Sequence, residues 1–265
     1  MSLLPLYQQV EHQEWIDIPS GWLQGRTVFG GLVAGLLAQK ALSVVNDAAK
    51  QLLSCNITFV GPVQEGQAKL TAEVLRQGKS VTTLEVRLWQ ADAVQSILIA
   101  SFGAQRESRI HVQNLPQVPH YPQPEQLDKT AYIEGLMPQC LQQFELCWAE
   151  GSYPMAGSKL PDFGGWSRFS PDLHTNRDMK LADLFALMDV WPPGVLPMFK
   201  TPAPASSLTW QITYLHPIAN QLQDWFKYKV VTEYAEHGYS TEYAYLWGRE
   251  NRLIAILRQT VAVFA

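Results

Sequence analysis

Three polar side chains lie inside segments that are otherwise apolar, and each is of a type that can do chemistry. Asp189 comes near the end of the apolar segment 181–190, where a helix dipole disfavours a carboxylate, so it is a candidate general base or water-positioning group. Gln259 alternates with apolar residues over 253–263, and burial without partners would cost its amide about 1–3 kcal/mol. Asn56 stands in a further apolar segment and is a candidate substrate contact. Each also has a purely structural alternative: a loop-capping aspartate, a backbone-bonded glutamine, or an asparagine paired with a loop.

A glycine-rich helix is predicted to begin at Phe29. Large apolar residues recur at helical spacing, namely Phe29, Leu32, Val33, Leu36, Leu37 and Val44. The other face carries small residues, namely Gly30, Gly31, Ala34, Gly35 and Ala38. Because glycine inside a helix costs about 1 kcal/mol relative to alanine, this face predicts close approach by a sheet or a ligand. Phe29, Gly30 and Gly31 are therefore candidate binding residues, since backbone N–H groups at a helix start can hold a substrate oxygen; close packing alone is the alternative.

Basic residues are too few to coat the protein with positive charge. Lys and Arg total 20 against 24 Asp and Glu, a net charge of −4, which disfavours a protein that coats nucleic acid over its whole surface. Arg76 and Lys79 lie near predicted strand ends, where they could hold a phosphate group of a substrate. Solvated side chains without a ligand are the alternative.

Motifs of several other enzyme classes are missing from the sequence. The 6 histidines are dispersed without HxxxH spacing, so neither a metal nor a cofactor is expected. No GxSxG elbow or GxGxxG loop occurs. Cys55, Cys140 and Cys147 cannot all pair and lack metal spacing, which indicates reduced thiols in the cytoplasm. No apolar stretch approaches the roughly 20 residues of a membrane span, and no secretory signal is visible.

The elements that must position these residues are a helix followed by consecutive strands. Strand patterns cover 52–60, 66–75, 80–89 and 94–104, with period-two alternation clearest in the third. A helix followed by hairpin-connected strands predicts an antiparallel sheet with the helix packed on it, an α+β fold.

The chain is predicted to consist of two related halves. Prolines at 116, 119, 122 and 124 mark an extended linker over 108–126, between an N-terminal half at 1–107 and a C-terminal half at 127–265. The motif Ile57-Thr58-Phe59 returns as Ile212-Thr213-Tyr214, at an offset of 212 − 57 = 155. Trp89 similarly corresponds to Trp247, so the helix and sheet are predicted twice.

With these motifs in this order, the sequence resembles double hotdog proteins of the acyl-CoA thioesterase II-like superfamily. The resemblance covers nearly the whole chain and rests on the following segments: Gly25 to Gly31, Arg76 to Ser80, Phe102 to Gln105, Gly164 to Arg168, Met188 to Pro193, and Arg258-Gln259. It implies two antiparallel sheets, each wrapped around a helix, with an acyl chain bound between the halves.

The resemblance also implies a water site made of an acid, a threonine and a glutamine. The family's acid stands eight residues before a proline, and counting back from Pro217 gives Thr209, so this sequence lacks the acid there. Gln259 fits the glutamine position, and Thr232 is the nearest hydroxyl to the threonine position. With Asp189 as the remaining acid, the implied catalytic set is Asp189, Thr209, Thr232 and Gln259.

Two functions follow from the resemblance. The first is hydrolysis of an acyl-CoA thioester to free acid and CoA by water attack, within fatty acid metabolism. The second is non-catalytic binding of an acyl-CoA or acyl carrier, which the threonine at 209 favours. A small-molecule acyl-CoA partner is expected, with no nucleic acid, and the chain is expected to form a homo-oligomer.

Overall fold

The computed structural model describes residues 2–264, which form three α-helices beside a large antiparallel sheet. The helices are α1 (Leu4–His12), α2 (Gly30–Val45) and α3 (Leu181–Met188), with 3-10 turns at Pro124–Gln126, Gln139–Gln143, Leu196–Met198 and Arg249–Asn251. The strands are β1 (Trp15–Ile18), β2 (Leu23–Gln24), β3 (Thr27–Val28), β4 (Lys50–Phe59), β5 (Gly66–Gln77), β6 (Val81–Gln90), β7 (Ala93–Ala104), β8 (Phe144–Gly151), β9 (Phe163–Phe169), β10 (Ala205–Tyr214), β11 (Phe226–Glu236), β12 (Tyr239–Trp247) and β13 (Leu253–Val263).

One continuous 11-stranded sheet runs through both halves, in the order β1-β5-β6-β7-β4-β10-β13-β12-β11-β9-β8. The sheets of the two halves join where β4 pairs antiparallel with β10, with Ile57 opposite Trp210. Strands β2 and β3 form a separate two-stranded ribbon. The predicted α+β architecture, with two antiparallel sheets each wrapped around a helix, is confirmed.

The internal repeat appears as paired strands. Shifting Lys50–Phe59 by 155 positions gives 205–214, the bounds of β10, and the two strands are the neighbours that join the halves. Strands β5, β6 and β7 correspond in order to β11, β12 and β13. In both halves the inward side chains of the strands alternate with outward ones, as the period-two pattern predicts.

The small-residue face of α2 packs against helix α3 rather than against a sheet or a ligand. A Cβ on Gly35 would lie 2.5 Å from the carbonyl oxygen of Ala182, so only a glycine allows the two backbones to approach this closely. Helix α3 is held further by Asp183, which is buried and accepts hydrogen bonds from Arg177 at 2.6 and 2.9 Å and from the hydroxyl of Tyr7 in α1 at 2.8 Å. These contacts fix the first turn of α3, and Asp189 stands at the opposite, C-terminal end of the same short helix.

The proline-rich segment 108–126 lies against the second half of the sheet. The indole N–H of Trp166 donates to the carbonyl oxygen of Pro122 at 2.9 Å, and the Lys227 amine donates to that of Pro119 at 2.9 Å. Lys227 is only 5% exposed, and its amine also lies 5.0 Å from the ring centroid of Trp166. Within residues 2–264, no helix is long and apolar enough to cross a membrane.

Candidate active site

Asp189 lies at the C-terminus of α3 and faces the first turn of α2. A Cβ on Gly30 would be 3.0 Å from Asp189 Oδ2, and a Cβ on Gly31 would be 2.7 Å from the Cβ of Asp189. The backbone N–H of Gly31 donates a hydrogen bond to the carboxylate. The structure therefore brings Asp189, Gly30 and Gly31 together, and it gives the two glycines a packing role beside any binding role.

Burial raises the pKa of Asp189 to about 7. The hydrogen bond from Gly31 opposes this shift, because it stabilises the charged form, and the negative charge of Glu242 adds to it. A carboxyl that titrates near neutrality is suited to take a proton from water and return it within one reaction cycle.

Beside this contact, a row of polar side chains crosses three strands of the second half. Glu242 in β12 is in register with Thr232 in β11 on one side and with Gln259 in β13 on the other. Residues in register on antiparallel neighbours point to the same face of the sheet. The row continues through Trp210, the partner of Gln259, to Ile57 of the first half, and so it reaches the junction between the halves. Thr232 and Gln259, both predicted as site residues, thus lie on either side of a buried acid.

Glu242 is the residue of this row that the sequence analysis did not identify. Its side chain is 2% exposed, and Oε2 accepts a hydrogen bond from the backbone N–H of Gly194 at 2.7 Å. Burial raises its pKa to about 7, with a further contribution from the charge of Asp162. The signal was the alternation of Ser240, Glu242, Ala244 and Leu246, which places the glutamate on the buried face.

The row is tightly packed. Gln259 Nε2 donates to the hydroxyl of Ser207, while the buried Thr232 Oγ1 has no hydrogen-bond partner among the described residues. Narrow gaps between the atoms of this row total about 150 Å³, and none of them is large enough for a water molecule. The residues that line these gaps are Trp210, Tyr228, Glu242, Ala244, Leu257 and Gln259. The polar row is therefore closed in this conformation.

The structure does not bring Thr209 and Asn56 together with this row, because both side chains are exposed on the other face of the sheet. Trp210 is buried against the helices, so the preceding Thr209 is exposed on the opposite face of β10, beyond a bulge at Ser207. Asn56 is exposed because its neighbours Cys55 and Ile57 take the two buried positions. In both cases period two decides which face a side chain occupies.

Of the three other predicted substrate-binding side chains, Phe29 lies beside Asp189 and two lie far from it. A Cβ on Gly31 would be 2.8 Å from the ring of Phe29 and 2.7 Å from the Cβ of Asp189. The ring of Phe29 is 1% exposed and stacks on Trp22 with centroids 6.4 Å apart, so it belongs to the core. Arg76 and Lys79 line one groove of about 450 Å³, as a shared phosphate site would require. That groove lies where β6 begins, whereas Gly30 and Asp189 lie at the far end of the sheet near Phe59, about 24 Å away along a strand.

Among residues 2–264, no group of three or more His, Cys, Asp and Glu side chains is arranged to hold a metal ion. Cys55, Cys140 and Cys147 are all buried and free of disulfides. The phenol of Tyr228 lies within electrostatic reach of the carboxyls of both Asp189 and Glu242.

Two helix-wrapped antiparallel sheets that continue into one another define a double hotdog protein. Solved structures share this fold over almost the whole chain. A hotdog-fold protein of unknown function from Alicyclobacillus acidocaldarius matches with a TM-score of 0.81 and 21% identity, covering 95% of this chain and 92% of that chain. A putative thioesterase II from Thermobifida fusca YX matches with a TM-score of 0.80 and 20% identity, covering 95% and 92%. The tesB protein of Mycobacterium avium subs. paratuberculosis matches with a TM-score of 0.77 and 16% identity, covering 100% of both chains.

Family models match both halves of the sequence. The model for the acyl-CoA thioesterase N-terminal domain matches residues 18–103, and the model for the C-terminal domain matches residues 116–263. The chain belongs to the acyl-CoA thioesterase family. A search of curated proteins finds no match to the sequence.

Proposed function

We propose that this protein hydrolyses an acyl-CoA thioester to a free acid and CoA by direct attack of water. The observation that carries the proposal is the carboxyl of Asp189, which titrates near neutrality beside the N-terminus of α2 at the junction of the halves. Membership of the acyl-CoA thioesterase family supports the reaction class.

In the proposed reaction, Asp189 takes a proton from water as the water oxygen attacks the thioester carbon. The N–H of Gly30, in the first turn of α2, has no acceptor within the helix and would stabilise the developing oxyanion together with the helix dipole. The C–S bond then breaks, and the proton held by Asp189 passes to the departing thiolate. Water supplies both the hydroxyl of the acid and the proton of the thiol.

Thr232 and Gln259 would support this site from the neighbouring row, on either side of Glu242. The groove lined by Arg76 and Lys79 remains a candidate phosphate site only for a group that binds at the other end of the sheet. The three buried free thiols support the proposal of a cytoplasmic protein, with a role in fatty acid metabolism.

The test is release of free thiol from acyl-CoAs of increasing chain length, measured with a thiol reagent. We expect Asp189→Asn to lower kcat by about 10²–10⁴-fold, since a positioned general base contributes that much. Gln259→Ala should also lower kcat. The matched control is Asp92→Asn, in the exposed turn between β6 and β7, which should retain the wild-type rate. Wild-type kcat in both Asp189→Asn and Gln259→Ala would show that the site lies elsewhere.

A second candidate function is binding of an acyl-CoA or acyl carrier without turnover. The closed polar row favours it. Calorimetric binding of the same acyl-CoAs, with no thiol released by the wild type, would select this alternative.

A further inference from the structure

Glu242 is a second buried acid that the proposed reaction does not use. Burying a carboxylate is unfavourable unless a cation or several hydrogen-bond donors compensate it. The donor here is one backbone N–H, that of Gly194 at 2.7 Å. The titratable groups that interact electrostatically with Glu242 or Asp189 are Asp162, Tyr228 and Cys140. Among the described residues, none of these interacting groups is a cation.

The contacts of Glu242 connect it to the segment that carries Asp189. Gly194 follows Asp189 by five positions, and a Cβ on Gly194 would lie 3.3 Å from Glu242 Oε2 and 2.6 Å from Thr232 Oγ1. Between them, the ring of Trp191 stacks on Tyr228 with centroids 5.3 Å apart and planes 3° apart. The turn from Asp189 to Gly194 is thus held on the inner face of β11 and β12.

The first half has an apolar residue at the position that corresponds to Glu242. Trp247 and Trp89 differ by 158 positions, so Glu242 corresponds to Leu84. Leu84 is 0% exposed in β6, as Glu242 is 2% exposed in β12. The fold therefore accommodates an apolar side chain at this point, and the carboxyl is not needed for packing.

We propose that Glu242 is a positioning residue for Asp189: it accepts a hydrogen bond from the N–H of Gly194 and so holds the turn that begins at Asp189 on the inner face of β11 and β12. This proposal rests on the proposed hydrolysis, in which Asp189 is the base. The negative charge of Glu242 also disfavours ionisation of Asp189, so the proton that Asp189 takes from water is held until it leaves on the thiol. Glu242 contacts neither the water nor the thioester.

The test is the pH profile of kcat/KM for Glu242→Gln, which keeps an acceptor for Gly194 and removes the charge. We expect the acidic limb to move to lower pH by about one unit, because removal of the nearby negative charge of Glu242 lowers the pKa of Asp189. Thr232→Val, a nearly isosteric change in the same row, should leave the limb in place. Glu242→Leu, which copies the first half, should give the same shift as Glu242→Gln and serves if the glutamine variant does not fold.

A readout without substrate separates this proposal from the proposed function. Carbon-13 NMR of protein labelled at aspartate carboxyls follows the titration of Asp189, assigned by the signal lost in Asp189→Asn. We expect its midpoint to fall by about one unit in Glu242→Gln. An unchanged midpoint, or an equal fall in Thr232→Val, would overturn the role of Glu242. A fall in midpoint in a protein that releases no thiol would support the coupling and refute only the hydrolysis.

Discussion

Asp189 stands where two features of its surroundings act against its ionisation. Removal from water and the charge of Glu242 both favour the protonated carboxyl, and the single hydrogen bond from Gly31 only partly compensates. The ionised form is the one that can accept a proton. Near neutrality, therefore, a substantial fraction of the protein is expected to be in the inactive, protonated form.

The rate of hydrolysis is therefore expected to depend on pH in the neutral range. Since only ionised Asp189 can act as a base, kcat/KM should rise about tenfold for each unit of pH below 7 and level off above it. The measurement is thiol release over a pH series, with buffer overlap to exclude buffer effects. A profile that is flat from about pH 5 to pH 8 would contradict the assignment.

Substitution of Thr209 tests whether this residue faces the substrate. Because its side chain is exposed on the outer face of β10, Thr209→Asp places the new carboxylate away from the junction. We expect kcat to stay within about twofold of the wild type and stability to change by less than about 0.5 kcal/mol, as for other surface changes. A clear gain in kcat would mean that residue 209 faces the substrate after all.

At this scale Asp189 and Gln259 were predicted from the sequence because a polar residue amid apolar ones is conspicuous, whereas Thr232 was predicted only from the family resemblance. Glu242 was less visible, since it alternates with serine and alanine on the inner face and its strand neighbours are Thr241 and Tyr243. The count of eight residues back from Pro217 gave the position of Thr209 but not the face of β10 on which it lies. Trp210 and Ile212 take the buried positions of this strand, so Thr209 is exposed.

At the scale of elements, the approach of α2 to α3 is set by a single glycine. In an unobstructed helix Gly35→Ala would stabilise by about 0.5–1 kcal/mol, because alanine is the better helix former. Here the new methyl group would meet the Ala182 carbonyl oxygen, and we expect destabilisation of about 1–3 kcal/mol instead.

The sign of this change is what urea unfolding would measure. Ser43→Ala, in the same helix, is the control and should change stability by less than about 0.5 kcal/mol. If Gly35→Ala stabilises the protein, the helices do not cross as closely as described.

The elements themselves were largely predictable. The strand patterns at 52–60, 66–75, 80–89 and 94–104 agree with β4 to β7 within a few residues, because one face of each strand is buried. What approached the small face of α2 was not predictable, since the pattern records only that something comes close. Strands β8 and β9 carry glycines and bulges in place of regular alternation, and they did not stand out.

At the scale of the molecule, we propose that 1–107 and 127–265 are the two halves and that 108–126 connects them. Lys227 holds this connection, with its amine bonded to Pro119 and to the side chain of Asn251. We expect Lys227→Met to release the segment, so that limited proteolysis within 108–126 becomes several-fold faster while thiol release is retained. The control is Lys69→Met in β5 of the first half, whose amine pairs with Glu14. Equal cleavage in both variants would contradict this role for Lys227.

A homo-oligomer remains our prediction for the assembly. Light scattering at high protein concentration should give a mass that corresponds to two or more chains of 29.8 kDa. A particle of a single chain would overturn it.

The pairing of β4 with β10 joins two related halves within one chain, and this has a consequence for how the sequence of each half can evolve. In a dimer of identical subunits every substitution enters twice, so an acid in one copy is also an acid in the other. Covalent fusion removes that constraint. Here the second half carries Glu242 and the first half carries Leu84 at the equivalent position. The two halves remain joined in one sheet. One copy is thus free to keep an apolar interior that maintains the fold, while its twin accumulates the ionisable groups that chemistry needs.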